Sequence, residues 1–465
     1  MILLYNFFLF FLFLLLFPYF LFRLMVTKRY RIGLGERLGN LSKGILKSLR
    51  GERPIWVHAV SVGELVAAKP LLKELRQKYS APILLSTTTE AGYRIAKKFF
   101  PDLPLIFFPF DFSLIVKRFV RRIRPKIFIT LESEIWPNLL SILKKRGIPA
   151  VLVNGRLSQK SYGKYRRFGF WGRRFFGELT RLGMRSQEEA ERVIRLGVKK
   201  ERVFVTGNLK YESALSLRES LINSATILYP DFSRDMRRGS TSLLLPAANK
   251  ATTDSPVVAE LVLPVVARFI KLKDSPVIVF GSLHSGEEEQ IIESCSSLSK
   301  SSRLIFAPRH PEKSRIKAIL KRKGLDYVLW SKIKAGGGKL EKEQILILDT
   351  IGELSFFYSL ATLVFVGGTF IPWGGHNVIE PAVFSKPILF GPYMGNFWEE
   401  SLIFKKAGAA IEVKDAAGLY STISELLTNP EKIKTMGEAS FQVVREHLGA
   451  TEKNLSLIKD LLTAR

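Results

Sequence analysis

The chain is poor in the residues that build covalent or metal staples. Cys295 is its only cysteine among 465 residues, and it has five histidines. A disulfide framework and a thiolate metal site within the chain are excluded, which fits a reducing compartment. No histidine pair has the spacing that puts two imidazoles on one helix face, so no metal site and no cofactor are expected. The phosphate-loop pattern G-x-x-x-x-G-K-[S/T] is absent as well. Acidic residues are scarce: 42 Asp plus Glu stand against 71 Lys plus Arg, a formal net charge of +29. So large an excess implies a polyanionic neighbour: nucleic acid, anionic lipid or a phosphorylated substrate. With 47% hydrophobic residues the chain can fill real cores, and its length suits two domains plus an appendage.

The N-terminus chooses among those neighbours. Ile2 to Phe22 is almost wholly Leu, Phe and Ile, interrupted by Asn6 and Pro18 beyond two tyrosines. Roughly 20 apolar residues suffice to cross a bilayer. A cleaved signal peptide would need a positive start, a shorter core and a small-residue cleavage site, none of which is present. Arg23, Lys28, Arg29 and Arg31 follow at once, which places the rest of the chain on the cytoplasmic side. A second basic stretch runs from Arg156 to Arg185, with Lys160, Lys164, Arg166, Arg167, Arg173 and Arg174 interleaved with Phe168, Phe170, Trp171 and Phe175. With the body held at an anionic leaflet, this basic and aromatic surface needs no nucleic acid.

From Pro54 onward, short β-rich runs alternate with amphipathic helices. Strands are expected at Ile55–Ala59, Ile83–Thr87, Leu105–Phe108, Ile127–Leu131, Ala150–Val153 and Val203–Thr206. A second set is expected at Val277–Phe280, Leu304–Ala307, Tyr327–Trp330, Ile345–Leu348, Leu363–Val366 and Ile388–Phe390. Alternation of this kind implies parallel sheets covered on both faces, and two sets of about six imply two doubly wound lobes with a cleft between them. The resulting division is an anchor at 1–24, a first lobe at 35–214, a linker or insertion at 215–253, a second lobe at 254–430 and C-terminal helices at 431–465.

Polar residues that chemistry needs cluster after the expected strands, where open α/β sheets bind ligands. Four of the five histidines, His58, His284, His310 and His376, fall there. In WVHAVSVGE (Trp56–Glu64), Ser61 and Gly63 form the turn and Glu64 opens a helix, a placement suited to a general base. LESEIWPN (Leu131–Asn138) sets Glu132 and Glu134 just past another strand, where like charge would raise the pKa of Glu64. VNGRLS (Val153–Ser158) and TGNLKY (Thr206–Tyr211) offer Arg156 and Lys210 over developing charge. In the second half, GSLHSGEEE (Gly281–Glu289) is a strand-loop-helix with small residues where a phosphate could approach. APRHPEK presents Pro308 and Arg309, and DTIGEL presents Gly352, Glu353 and Leu354. VGGTFIPWGGHNVIEP reads as strand, glycine-rich turn and helix start: Asn377 is a good N-cap, Val378 to Phe384 can form the helix, and Glu380 can hold ribose hydroxyls.

These motifs, in this order from about Gly35 to the C-terminus, resemble those of the 3-deoxy-D-manno-octulosonic acid (Kdo) transferases of lipopolysaccharide synthesis. The resemblance implies the GT-B fold and inverting transfer of Kdo from CMP-Kdo to a lipid A precursor (lipid IVA), with no required metal. It implies Glu64 as proton acceptor, with Lys210 and one of Glu132 or Glu134 supporting the transition state. Pro308, Arg309, Gly352, Glu353, Leu354 and Asn377, Val378, Ile379 and Glu380 would bind CMP. Ser61, Arg156, Arg166 and Arg167 are the candidates for the acceptor, and the expected location is the cytoplasmic face of the inner membrane. Leu283, Ser285, Glu212 and the 215–253 insertion depart from the family pattern. Two rival readings are a membrane-associated transferase of the same fold with another donor, and a non-catalytic membrane-surface binding protein.

Overall fold

A computed structural model describes residues 2–27, 31–49, 51–167, 174–228, 275–336, 340–341 and 343–463. Residues 229–253 of the expected insertion, and Phe168, Phe170, Trp171 and Arg173 of the basic stretch, lie outside the described residues. The chain folds into two compact units: Met1–Ser213 with His447–Arg465, and Ala214–Glu446.

The first unit is built on a seven-stranded sheet: β1 (Ile55–His58), β2 (Ile83–Thr87), β3 (Leu105–Phe107), β4 (Ile127–Leu131), β5 (Ala150–Gly155), β6 (Arg181–Met184) and β7 (Val203–Val205). Their spatial order is β3-β2-β1-β4-β5-β6-β7, and neighbouring strands pair in parallel throughout. Because side chains alternate across a strand, β1 feeds two cores at once. Trp56 points into one with Phe119, Phe128 and Leu139, while Ile55 and Val57 join Leu65, Leu72, Leu455 and Ile458 on the other face. Leu455 and Ile458 belong to the last helix, Ala450–Thr463, so the end of the chain completes the core of the first unit. Glu212 holds that helix by accepting from the backbone N–H of Gly449 (2.8 Å) and Thr451 (2.7 Å). This gives a structural reason for one of the sequence departures noted above.

The second unit repeats the plan with β8 (Val277–Leu283), β9 (Arg303–Pro308), β10 (Tyr327–Leu329), β11 (Ile345–Ile347), β12 (Leu363–Val366), β13 (Ile388–Phe390) and β14 (Ala410–Glu412), in the order β10-β11-β9-β8-β12-β13-β14. Each sheet therefore has seven strands where six were expected. β6 and β14 escape a reading by apolar runs because Arg-Leu-Gly-Met and Ala-Ile-Glu are short and half polar. Residues 215–228 continue the Lys210–Leu228 helix where a linker was expected to begin.

In both sheets the chain fills one side of a central strand and then crosses to its other side. The reversal lies between β1 and β4 in the first unit and between β8 and β12 in the second. At such a point the loops leave in opposite directions and open a crevice beyond the carboxyl ends of the strands. The helix that follows β1 carries Glu64 in its first turn, the loop after β4 carries Glu132 and Glu134, the loop after β8 carries His284, and the loop after β12 carries Gly367 to His376.

Candidate active site

Ser61 is the N-cap of the Val62–Lys78 helix, and Glu64 stands three residues later, the spacing of a capping box. The Ser61 hydroxyl donates to Glu64 Oε1 (3.2 Å) and the Val60 N–H donates to Oε2 (2.9 Å), so the carboxylate is held in one orientation. Glu64 is 8% exposed. Burial, followed by the charge of Glu132, pushes its pKa up to about 7, against the two hydrogen bonds. Glu134 is raised in the same way, by burial and by Glu132.

Glu132 behaves oppositely. Burial alone would raise it, but Arg185, Lys210 and Arg156 together outweigh that and hold it down at about 2. Lys210 Nζ lies 3.3 Å from Glu132 Oε1, and Arg185 makes a second ion pair with the same oxygen. Glu132 adopts φ +57°, a left-handed conformation disfavoured for a non-glycine residue; such strain gathers at functional sites. The structure thus brings Glu64, Glu132, Glu134, Lys210 and Arg156 into one electrostatic cluster and adds Arg185. The sequence reading counted Arg185 as the end of a charge run; its position directly after β6 was the missed signal, and β6 itself was missed.

The second unit is organised by a different kind of group. Glu287, fully buried, accepts backbone N–H donors from His284 (3.1 Å), Thr369 (3.1 Å), Phe370 (3.1 Å) and Gly368. Burial raises its pKa and those four donors oppose the rise. One carboxylate therefore ties the loop after β8 to the loop after β12. Gly367 is obligatory there, since a Cβ would meet Glu287 Oε1 at 2.7 Å and the Ser282 carbonyl oxygen at 2.8 Å. In the stretch where small residues leave a phosphate room to approach, the Glu287 carboxylate takes four backbone N–H groups.

Around this tie sit His284, His310 and His376. His284 Nε2 and His376 Nε2 are 2.8 Å apart, so one donates and the other accepts, and Trp373 lies over His284. Burial, His310 and Arg309 lower His284 to about 4; burial, Arg309 and His284 lower His376 to about 3. Both imidazoles are neutral near pH 7. Arg309, exposed directly after β9, is positioned by its N–H to Leu283 O (2.8 Å), and no hydrogen-bond or ion-pair partner is found for its guanidinium among the described residues.

The expected helix after Asn377 is a single turn, Ile379–Ala382, and its N-cap is Val378, one residue later than expected. A helix dipole of that length is weak, so what this loop offers an anion is backbone N–H groups and side chains. Asn377 Oδ1 accepts from Ile379 N (3.1 Å) and its amide donates to Glu380 Oε1 (3.1 Å); Ser355 reaches Glu380 Oε2 (3.4 Å). Val378 and Ile379 are fully buried, backbone included, and the Ile379 N–H is taken by Asn377, so the partly exposed residues of this turn are Asn377 and Glu380. Gly352 takes φ +101° just ahead of the Leu354–Leu360 helix, and the Glu353 carboxylate is engaged by Lys334 (2.6 Å) and Thr350. Pro308 closes β9.

One expectation does not hold. His58 joins no polar loop: it lies inside β1, fully buried, stacked on Phe108 at 3.8 Å with Nδ1 at Ser86, so it is a core residue. Arg166 and Arg167 end the Gln159–Arg167 helix, exposed to solvent.

Residues 33–213 match the family profile described as 3-Deoxy-D-manno-octulosonic-acid transferase (kdotransferase). The chain is 30% identical over 438 residues to the 3-deoxy-D-manno-octulosonic acid transferase of Chlamydophila psittaci, covering 92% of this chain and 89% of the relative. It is 29% identical over 443 residues to the enzyme of that name from Haemophilus influenzae, covering 94% and 93%. Among solved structures, UDP-GlcNAc 2-epimerase from Neisseria meningitidis aligns with a TM-score of 0.55 at 11% identity, over 88% of this chain and 100% of that one, a likeness of fold alone. With its two parallel α/β sheets and this likeness along most of its length, the chain belongs to the 3-deoxy-D-manno-octulosonic acid transferase family of glycosyltransferases.

Proposed function

We propose that this glycosyltransferase moves Kdo from CMP-Kdo to a lipid A precursor (lipid IVA) with inversion, at the cytoplasmic face of the inner membrane. The observation that carries the reading is Glu64: a buried carboxylate, fixed by two donors and raised to about 7, at the strand reversal of the first unit. A general base works best when its pKa lies near the operating pH. In the proposed step an acceptor hydroxyl oxygen bonds to the anomeric carbon of Kdo while the bond to the CMP phosphate oxygen breaks and its electron pair leaves with CMP. Glu64 takes the hydroxyl proton. The cations Lys210 and Arg185, anchored on Glu132, oppose negative charge growing nearby.

The donor falls to the second unit. Arg309 supplies a bidentate cation for the phosphate, and Glu380, with Asn377 beside it, and the Gly352–Leu354 turn take the nucleoside. With protein cations assigned to the leaving phosphate, the reading requires no metal, and chelator-treated enzyme should keep its activity. The basic surface and the apolar N-terminal helix suit a phosphorylated lipid acceptor in an anionic leaflet.

The test is membranes carrying the protein, CMP-Kdo and lipid IVA, with product mass read out. Glu64→Gln keeps the shape but cannot accept the proton. Turnover should fall about 10²–10⁴-fold while CMP binding is kept. Product formation at the native rate by that variant would overturn Glu64 as base, and absence of any Kdo-lipid product from the native enzyme would overturn the substrate assignment.

A further inference from the structure

The Ile2–Val26 helix is long and apolar enough to cross a membrane: its 2–23 stretch has one charged residue, Arg23, and no residue of it is buried. Yet it touches the first unit along its length. Near its start, the Tyr5 hydroxyl donates to Asp111 Oδ2 (3.1 Å). One residue on, Asn6 and Asn138 exchange amide hydrogen bonds (2.8 and 3.1 Å), and the Ser113 hydroxyl donates to Asn138 Oδ1 (2.8 Å) with Asn6 Oδ1 also in reach (3.2 Å). At mid-helix the Phe13 ring packs edge-on against Phe112 (5.5 Å between centroids), and near the end Phe20 packs against Phe110 (6.4 Å).

These contacts are built into the body. Asp111 is 6% exposed and accepts the N–H groups of Asn138 (3.0 Å) and Leu139 (2.9 Å), at the first turn of the Pro137–Lys145 helix. Asn138, 1% exposed, has Asn6 as a partner for both ends of its amide. Tyr5 and Asn6 interrupt an otherwise apolar run at the point where the body presents polar groups.

A crossing orientation is incompatible with this docking. Tyr5 and Arg23 are 18 residues apart, about 27 Å along a helix, close to the roughly 30 Å of a hydrocarbon core. With Arg23 among the headgroups on the body's side, Tyr5 and Asn6 would sit at the far side, and Phe13 at the bilayer centre. Their partners, residues 110–113 and 138, would have to follow into the hydrocarbon or be abandoned.

We propose that the Ile2–Val26 helix lies lengthwise on the first unit in the plane of the membrane, latched by Tyr5 and Asn6, with its outer face among the acyl chains of a single leaflet. Leu3, Phe7, Phe8, Phe11 and Leu15 are exposed on the helix, and Leu114 of the body is 80% exposed beside the docking point. Leu114 lies in the first turn of the Ser113–Ile123 helix, whose Lys117, Arg118, Arg121 and Arg122 are all exposed. Apolar surface thus passes into a row of cations, the sequence of chemistries met on moving from acyl chains to anionic headgroups.

The test uses the full chain in sealed vesicles of stated orientation, with Cys295→Ser as background. In the pair Asn6→Cys and Ser113→Cys, a short bis-maleimide should cross-link the two sites in most molecules, and the product should keep its transferase activity. A cysteine-bearing tag ahead of Met1, with the latch untouched, should react with an impermeant maleimide from the side that reaches the body, with complete loss of labelling from the other side. Leu15→Cys carrying a photoreactive group should couple to phospholipid acyl chains. Labelling of the tag from the opposite side, with no Asn6–Ser113 cross-link, would overturn the proposal. Coupling of Leu15 to a second chain in place of lipid would overturn the assigned occupant.

Discussion

The two strand reversals have the same topology and opposite chemistry. Beyond β1 and β4 the first unit gathers full charges: Glu64, Glu132 and Glu134 against Lys210, Arg156 and Arg185, with carboxylates driven apart to about 7 and about 2. Beyond β8 and β12 the second unit gathers neutral imidazoles and backbone N–H groups tied by one buried carboxylate, leaving Arg309 as an exposed cation. A crevice provided by the sheet is neutral as to its use. Charges that tune each other suit proton movement, while fixed dipoles suit the holding of a charged ligand whose chemistry happens at its far end.

The largest effect expected from breaking this contrast is at Glu132. Glu132→Gln leaves Arg185 and Lys210 without their buried counter-charge, and removing one partner of a buried pair costs about 3–5 kcal/mol. The melting temperature should fall sharply, and the apparent pKa of Glu64 in a pH–rate profile should fall as well, because a repelling charge is gone. An unchanged melting temperature would show that the ion pairs are dispensable. In the second unit, Arg309→Ala should weaken CMP binding by about 1.5–3 kcal/mol in calorimetry, with no change in the pH–rate profile; equal affinity would remove Arg309 from the donor site.

A smaller effect separates function from stability at Glu64. Its folded pKa is raised, so the folded state holds a proton that the unfolded chain has released. Stability is full below the ordinary value of 4.5 and falls as pH rises through about 7. Glu64→Gln should therefore raise stability by about 1–3 kcal/mol at pH 8 and leave it near native at pH 4, while turnover collapses. A variant destabilised equally at both pH values would show a capping role alone. For the second unit, the ring-proton resonances of His284 and His376 should not titrate between about pH 5.5 and 8, since both are held below that range. Titration there would erase the contrast. Smallest of all, charge reversal at exposed Arg166 and Arg167 should raise acceptor KM on anionic vesicles a fewfold and vanish at high salt.

Much of this was legible along the chain because it is local. Runs such as Ile127–Leu131 and Leu363–Val366 are strands as expected, since four or five apolar residues bounded by turn formers have little else to become. Glu64 announced itself by standing three residues after a capping serine, and the order of the motifs carried the family. Tertiary structure decided whatever depends on which strands lie side by side. Arg185 reaches Glu132 across 53 residues because β6 lies beside β5, and β5 beside β4. Glu287 reaches Gly368 across 81 because β8 neighbours β12. His58 looked like a loop histidine until β1 proved central and closed over it, and Tyr5 and Asn6 looked like blemishes in an apolar run until Asp111 and Asn138 came to meet them. Local pattern sets which elements form. The partners of a buried charge are set by strand order, which a linear reading of propensity and period does not contain.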